Sequence, residues 1–116
     1  MSTYRDLKLW QVSMDLAEST YLLCKKLPES EKFGISSQMQ RAAVSIPSNI
    51  AEGHGRNSGN EFKRFLLIAN GSKCELQTQI LLCEKIGFLS REDTKSVLLM
   101  TESVGKMIHS LINTLE

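Results

Sequence analysis

A proline lies in the middle of a segment that otherwise has the pattern of one continuous helix, from about Ile35 to His54. Proline normally interrupts a helix, because it has no amide hydrogen to donate and its ring crowds the carbonyl four residues earlier. The apolar face nevertheless continues through Pro47 and comprises Ile35, Met39, Ala42, Ile46, Ile50 and Gly53. We therefore predict a helix kinked at Pro47, in which nearby serine or asparagine side chains bond the freed backbone groups.

The rest of the sequence predicts three further helices, so the expected fold class is all-α. Apolar side chains recur every three or four residues, and no segment alternates as a half-buried strand would. The predicted helices span about 4–26, 35–54, 59–86 and 90–113, with capping sequences at Thr3, Ser58 and Ser90. Gly53 or Gly55 is the expected left-handed end of the second helix, and Gly87 ends the third. Short connections favour an up-down-up-down four-helix bundle, with residues 1–116 as a single domain.

Two helices carry more apolar surface than one bundle partner needs. The first has two neighbouring stripes, one through Trp10, Met14 and Tyr21 and the other through Leu16 and Leu23. The third has a core stripe that includes Phe62, Leu66 and Ile80. On its far side is a second stripe, formed by Leu67, Gly71, Cys74, Thr78 and Leu81. Its leucines would be exposed in a monomer, and its small residues would let another helix approach closely. This pattern predicts a homo-oligomer.

Composition excludes several classes of protein. A formal net charge of +1 and a pI near 7.7 argue against a strongly basic, histone-like chain. Three cysteines without close spacing argue against a secreted disulfide framework and favour a reducing cytoplasm. The first ten residues are charged where a signal peptide would be apolar, and no run approaches the roughly 20 apolar residues that span a membrane. We therefore expect a cytoplasmic protein with no membrane partner.

Four runs of the sequence together form a specific set: 4–10 (YRDLKLW), 38–53 (QMQRAAVSIPSNIAEG), 61–66 (EFKRFL) and 71–79 (GSKCELQTQ). In these runs the chain resembles the four-helix bundle family named for intervening sequences in bacterial 23S ribosomal RNA genes. The resemblance implies a bundle that assembles into a ring-shaped homopentamer, in a family without an established biochemical activity. A more distant similarity to the accessory protein of diversity-generating retroelements implies a nucleic acid or a nucleic-acid-processing protein as partner.

Positively charged side chains are the candidate nucleic-acid-binding residues: Arg41, Arg56, Lys63, Arg64 and Lys73. A modest patch repeated around a ring would form a basic belt, and phosphate contacts would add along an RNA or DNA backbone. No aromatic residue is interleaved with these charges, so base stacking is poorly supported. Each cation also has a simpler interpretation as part of a solvated face.

Two carboxylates offer structural roles for the same cations. Glu52 and Arg56 are four residues apart, the spacing of a local ion pair on a helix. Arg41 could bind phosphate through its paired guanidinium nitrogens. It could instead form an ion pair with Glu75, the nearest partner suggested by the helical pattern.

No catalytic or metal-binding pattern is present in the sequence. Neither His54 nor His109 follows a glutamate at the spacing of a di-iron bundle, and no zinc-finger spacing, phosphate-binding loop or nucleophile elbow occurs. We therefore expect a non-enzymatic oligomeric scaffold without a cofactor. Two alternatives stay open: a protein–protein adaptor with no nucleic-acid role, and an enzyme that uses the turn between Glu52 and Arg56.

Overall fold

The computed structural model describes residues 3–115 and has four α-helices and no strand in that range. The helices are α1 (Lys8–Cys24), α2 (Ile35–Gly55), α3 (Gly59–Lys85) and α4 (Arg91–Thr114). Two short 3-10 helices, Tyr4–Asp6 and Glu29–Glu31, precede α1 and α2. The predicted all-α fold class is confirmed.

The first helix begins later than the sequence pattern predicts. Thr3 and Asp6 do form the expected capping box, but it closes the separate turn Tyr4–Asp6. Leu7 then adopts an extended conformation with ψ of 125°, so α1 starts at Lys8. The apolar pattern runs across this break, which is why periodicity alone placed the start too early.

Caps and glycines set the remaining helix ends. The second helix ends at Gly55, within the predicted stop, but the left-handed residue is Asn57, with φ of 57°, rather than either glycine. Gly87, with φ of 85°, follows α3 as predicted. The Ser58 side chain accepts a hydrogen bond from the amide of Glu61. The Glu61 carboxylate pairs with Arg64, so only this first half of the predicted capping box forms. The box that opens α4 is complete.

Polar contacts show how successive helices pair. Each contact joins equivalent levels of two neighbouring helices: Cys24 Sγ to the Ser36 carbonyl at 3.8 Å, Ser45 Oγ to Ser72 Oγ at 2.8 Å, Gln77 Nε2 to Thr101 Oγ1 at 2.9 Å, and Lys26 Nζ to Asp93 Oδ1 at 2.9 Å. The last contact also links the end of α1 to the start of α4. These contacts are consistent with neighbouring helices that run in opposite directions, as in an up-down-up-down bundle.

Pro47 lies inside α2 and is buried, so the helix passes through the proline as predicted. The Asn49 side chain donates to the carbonyl of Ser45 at 2.8 Å and to its Oγ at 3.0 Å. The carbonyl that Pro47 frees is that of Ala43, four residues earlier. The Asn49 bond therefore lies next to the proline but does not replace the hydrogen bond that is lost. The size of the bend at Pro47 stays a prediction.

The core fills the space between the four helices. Leu16, Met39, Leu66, Leu76 and Ile108 are completely buried within it. On α1 the stripe through Leu16 faces this core. The neighbouring stripe leaves Met14 and Tyr21 nearly half exposed, at 44% and 46%. The first helix therefore does carry apolar surface that the bundle does not cover.

Candidate interaction surfaces

The predicted second stripe of α3 is fully on the outside of the bundle. Leu67 and Leu81 are 53% and 51% exposed, and the three residues between them are also exposed. The buried positions of the same helix, such as Leu66, Leu76 and Ile80, point to the opposite side. We call Leu67, Gly71, Cys74, Thr78 and Leu81 the outer face of α3.

Small residues occupy the middle of this face. The Thr78 hydroxyl donates to the carbonyl of Cys74 at 2.8 Å, so its hydrogen bond is made within the helix. A β-carbon on Gly71 would have no neighbour within 4 Å. The glycine is therefore not required by packing inside this chain. It leaves a shallow place on the surface where a second helix could come close.

Further exposed apolar residues border the outer face of α3, and the sequence pattern did not single them out. Ile68, Leu82 and Ile86 are 42%, 46% and 54% exposed. The spacing of four between Leu82 and Ile86 was a usable signal in the sequence. Single exposed leucines are common on protein surfaces, but these residues lie beside the outer face of α3, and such a group of exposed apolar residues indicates an interaction surface.

At the turn between α2 and α3, two arginines are held by two carboxylates. Arg56 lies 2.9 Å from Glu52 Oε2, which confirms the predicted local pair, and 3.8 Å from Glu61 Oε1. Arg64 bonds Glu61 through two nitrogens, at 3.1 and 3.2 Å. These hydrogen bonds from Arg64 hold the pKa of Glu61 below its ordinary value. Both arginines already have acidic partners.

Phe65 lies beneath the same two arginines. The guanidinium carbons of Arg64 and Arg56 are 4.5 and 5.1 Å from the centre of its ring, and the ring itself is buried. The other side of Phe65 touches Gly53 of α2. The arginines therefore cover a core aromatic residue, which gives this motif a structural role at the join of the two helices.

The other candidate cations lie elsewhere. Lys73 is half buried, and its ammonium lies 3.1 Å from where a β-carbon of Gly105 on α4 would be. Arg41 is exposed on α2, and Lys63 is half buried on α3. The structure thus brings together Arg56 and Arg64, but it does not gather all five cations into one patch.

Arg41 and Glu75 line the same cavity, of about 370 Å³, together with Gln38 and Ser45. Within residues 3–115, however, the structure shows no ion pair between them, so this alternative for Arg41 gains no support beyond their shared cavity. Glu75 instead accepts a hydrogen bond from Gln79 Nε2 at 3.3 Å, one turn along its own helix.

The three thiols occupy different environments. Burial raises the pKa of Cys24 to about 11 and also raises the pKa of Cys83, whereas Cys74 is exposed on the outer face of α3. In the described part of the chain, no three metal-binding side chains form a cluster. None of the described helices combines the length and the apolar character needed to cross a membrane.

Comparisons with known proteins agree with this architecture. The family model described as 23S rRNA-intervening sequence protein matches residues 5–110. A crystal structure of a protein with unknown function from the S23 ribosomal protein family of Bacteroides thetaiotaomicron superposes with a TM-score of 0.83 at 27% identity. The match covers 90% of this chain and 97% of that one. No match was found among curated proteins.

Proposed function

Because the chain belongs to the family of 23S rRNA-intervening sequence proteins, we propose that it is a non-enzymatic scaffold that assembles with copies of itself through the outer face of α3. The observation that carries this proposal is the exposure of Leu67 and Leu81, each more than half accessible on a helix whose other side fills the core. Covering this surface removes apolar area from water, which favours association.

The outer face of α3 suits contact with an α-helix of a neighbouring subunit. Gly71 and Cys74 lie near its middle and would let two backbones approach, while the leucines at either end would pack around them. The exposed Met14 and the half-buried Trp10, on the same stripe of α1, offer a second apolar surface for the neighbouring subunit. Two different surfaces on one chain are what a closed ring requires. The number five follows from the family resemblance.

The reactivity of Cys74 tests this assembly. It is the exposed thiol, whereas burial keeps Cys24 and Cys83 protonated and shielded. If the outer face of α3 is covered, a thiol reagent should modify Cys74 slowly at high protein concentration and rapidly after dilution. A labelling rate that does not depend on concentration, from nanomolar to high micromolar protein, would contradict the proposal.

Nucleic-acid binding is the second candidate function, and the observation that favours it is the pair Arg56 and Arg64. Their side chains are 48% and 55% exposed although each has an acidic partner. Repetition around a ring would place several such pairs along one rim, where phosphate contacts add. Replacement of both Lys63 and Arg64 by alanine should then weaken binding of every sequence and reduce its salt dependence.

Light scattering with and without a mixed pool of RNA and DNA separates the two candidates. A scaffold that binds nucleic acid should gain mass at low salt and lose it as salt rises. An assembly whose mass does not change would favour the adaptor function, in which the scaffold binds proteins only. The partner in that case would be sought on the apolar surfaces rather than at the arginines.

A further inference from the structure

Phe33 is 89% exposed, more than any other large apolar side chain in the described residues. It lies in the turn between α1 and α2, where no helical stripe requires an aromatic residue. The turn is held in place: the Gly34 amide donates to the Glu31 carbonyl at 3.0 Å, and Glu31 Oε1 accepts from the Ile35 amide at 3.5 Å. Phe33 is thus presented to solvent by an ordered backbone.

A cavity of about 440 Å³ lies beside Phe33. Its lining includes a second exposed aromatic residue, two lysines and an amide side chain: Tyr21, Lys25, Lys32 and Gln40. This volume lies within the range of small-molecule sites. Aromatic, cationic and amide groups are therefore combined in one concave surface.

The charges of the cavity favour an anion. Lys25 and Lys32 line it with one carboxylate, that of Glu29. The neighbouring Lys26 forms an ion pair with Asp93 at 2.9 Å and does not line the cavity. Lys32 Nζ lies 5.7 Å from the centre of the Phe33 ring, so a cation–π contact already joins these two side chains. A ligand with a flat ring and a nearby phosphate would match both groups.

We propose that this cavity binds a nucleotide unit, with its base stacked on Phe33 beside Tyr21 and its phosphate held by Lys25 and Lys32. Stacking on aromatic side chains beside a cationic surface is how single-stranded nucleic acids are bound without strict sequence preference. The Gln40 amide can donate to and accept from a base edge. This inference deepens the second candidate function but does not depend on the outer face of α3.

The same chemistry could come from a free mononucleotide or from one unit of a single strand, and two probes distinguish them. Fluorescence anisotropy would measure binding of a labelled ten-residue oligothymidylate, and unlabelled AMP would serve as competitor. If AMP displaces the strand at a concentration close to the dissociation constant of the strand, the cavity is a mononucleotide site. Tight strand binding that millimolar AMP does not reduce would identify a single-strand site whose affinity depends on several phosphates.

Substitutions at Phe33 test the stacking contact. Phe33→Ala should weaken binding of the probe about tenfold, which is within the range measured for the loss of a single base stack. Phe33→Tyr should keep binding within about twofold of wild type. Leu99→Ala, at a residue that is 60% exposed on α4 and outside the cavity, is the matched control and should bind normally. Lys32→Ala should reduce the salt dependence of strand binding.

Three binding results would overturn the inference: neither probe binds, Phe33→Ala binds as well as wild type, or a fully paired duplex binds as tightly as the single strand. A change in assembled mass with Phe33→Ala would also overturn it, since the ring would then belong to a protein interface. Leu67→Lys separates this inference from self-assembly. It should dissociate the scaffold and leave binding to each chain's cavity intact.

Discussion

Gly53 and Phe65 are so close that a β-carbon built on the glycine would lie 2.5 Å from the Cβ of the phenylalanine. Real side-chain atoms do not approach to this distance, so α2 and α3 can meet here only because residue 53 has no side chain. The same phenylalanine lies under Arg56 and Arg64. Phe65 therefore connects Gly53 of α2 with both arginines at the join of the two helices.

Gly53→Ala should separate the two helices and reduce the free energy of unfolding by about 1–3 kcal/mol, the usual cost of overpacking a core. Gly55→Ala is the matched control. It lies two residues further along α2 with no neighbour within 4 Å, and it should change stability little or raise it by up to about 1 kcal/mol. Urea denaturation of both variants measures the difference. Equal stabilities would contradict the close contact.

Gly71 should respond in the opposite way. No atom lies within 4 Å of its β-carbon position, so Gly71→Leu costs the single chain nothing in packing and adds a better helix former. The same leucine would prevent close approach of a second helix at the outer face of α3. We expect unchanged or increased helical content by circular dichroism and a lower assembled mass by light scattering. An assembly that tolerates leucine at this position would place its interface elsewhere.

Pro47→Ala should affect assembly more than folding. The substitution restores a backbone hydrogen bond, worth about 1 kcal/mol, but it leaves a small gap where the buried ring was. These effects oppose each other, so the midpoint of urea unfolding should move little. A straighter α2 would shift the surfaces that neighbouring subunits share. Sedimentation velocity should show weaker association, and full retention of the assembly would remove any role for the bend.

We expect Asp93 to contribute to the stability of the bundle in a way that depends on pH. The backbone amide of Ser90 and the side chain of Lys26 donate to its carboxylate, which lowers its pKa from 3.8 to about 2. A carboxyl whose pKa is lowered by folding stabilises the protein above its ordinary pKa, and this contribution is lost as pH falls from about 4 toward 2.

The matched variants at this site are Asp93→Asn and Glu92→Gln, the second at an exposed carboxylate one residue earlier. Asp93→Asn should lower stability at pH 7, and its difference from wild type should shrink between pH 4 and pH 2. Glu92→Gln should follow the wild-type acid curve more closely. Thermal unfolding at several pH values gives these comparisons, and parallel curves for wild type and Asp93→Asn would refute the assigned role.

The sequence predicted the helices well because their stripes and caps are local properties. Ser90 with Asp93, Gly87 after α3 and the passage of α2 through Pro47 were all predicted correctly. The start of α1 was not, because the extended residue Leu7 lies within an unbroken apolar pattern. Periodicity records which residues are apolar, but it does not record where the backbone leaves the helical region.

Pairing between helices was harder to predict than the helices themselves. The local pair of Glu52 and Arg56 follows from their spacing, whereas the partner of Arg41 depends on where α3 lies. The exposure of Phe33 was also missed, because an aromatic residue beside a glycine in a short connection gives no periodic signal. Its isolation from every stripe was the available indication that it serves something other than the core.

Sedimentation of the wild-type protein beside Leu67→Lys and Leu22→Lys tests self-assembly most directly. Leu67 lies on the outer face of α3. Leu22 of α1 is similarly exposed, at 56%, and lies near Glu18 of the same helix and the two lysines, Lys25 and Lys26, that follow it. We predict that the wild type and Leu22→Lys sediment as the same oligomer at micromolar concentration, and that Leu67→Lys sediments as a folded monomer. A monomeric wild type, or a Leu67→Lys variant that keeps the oligomer, would contradict the account.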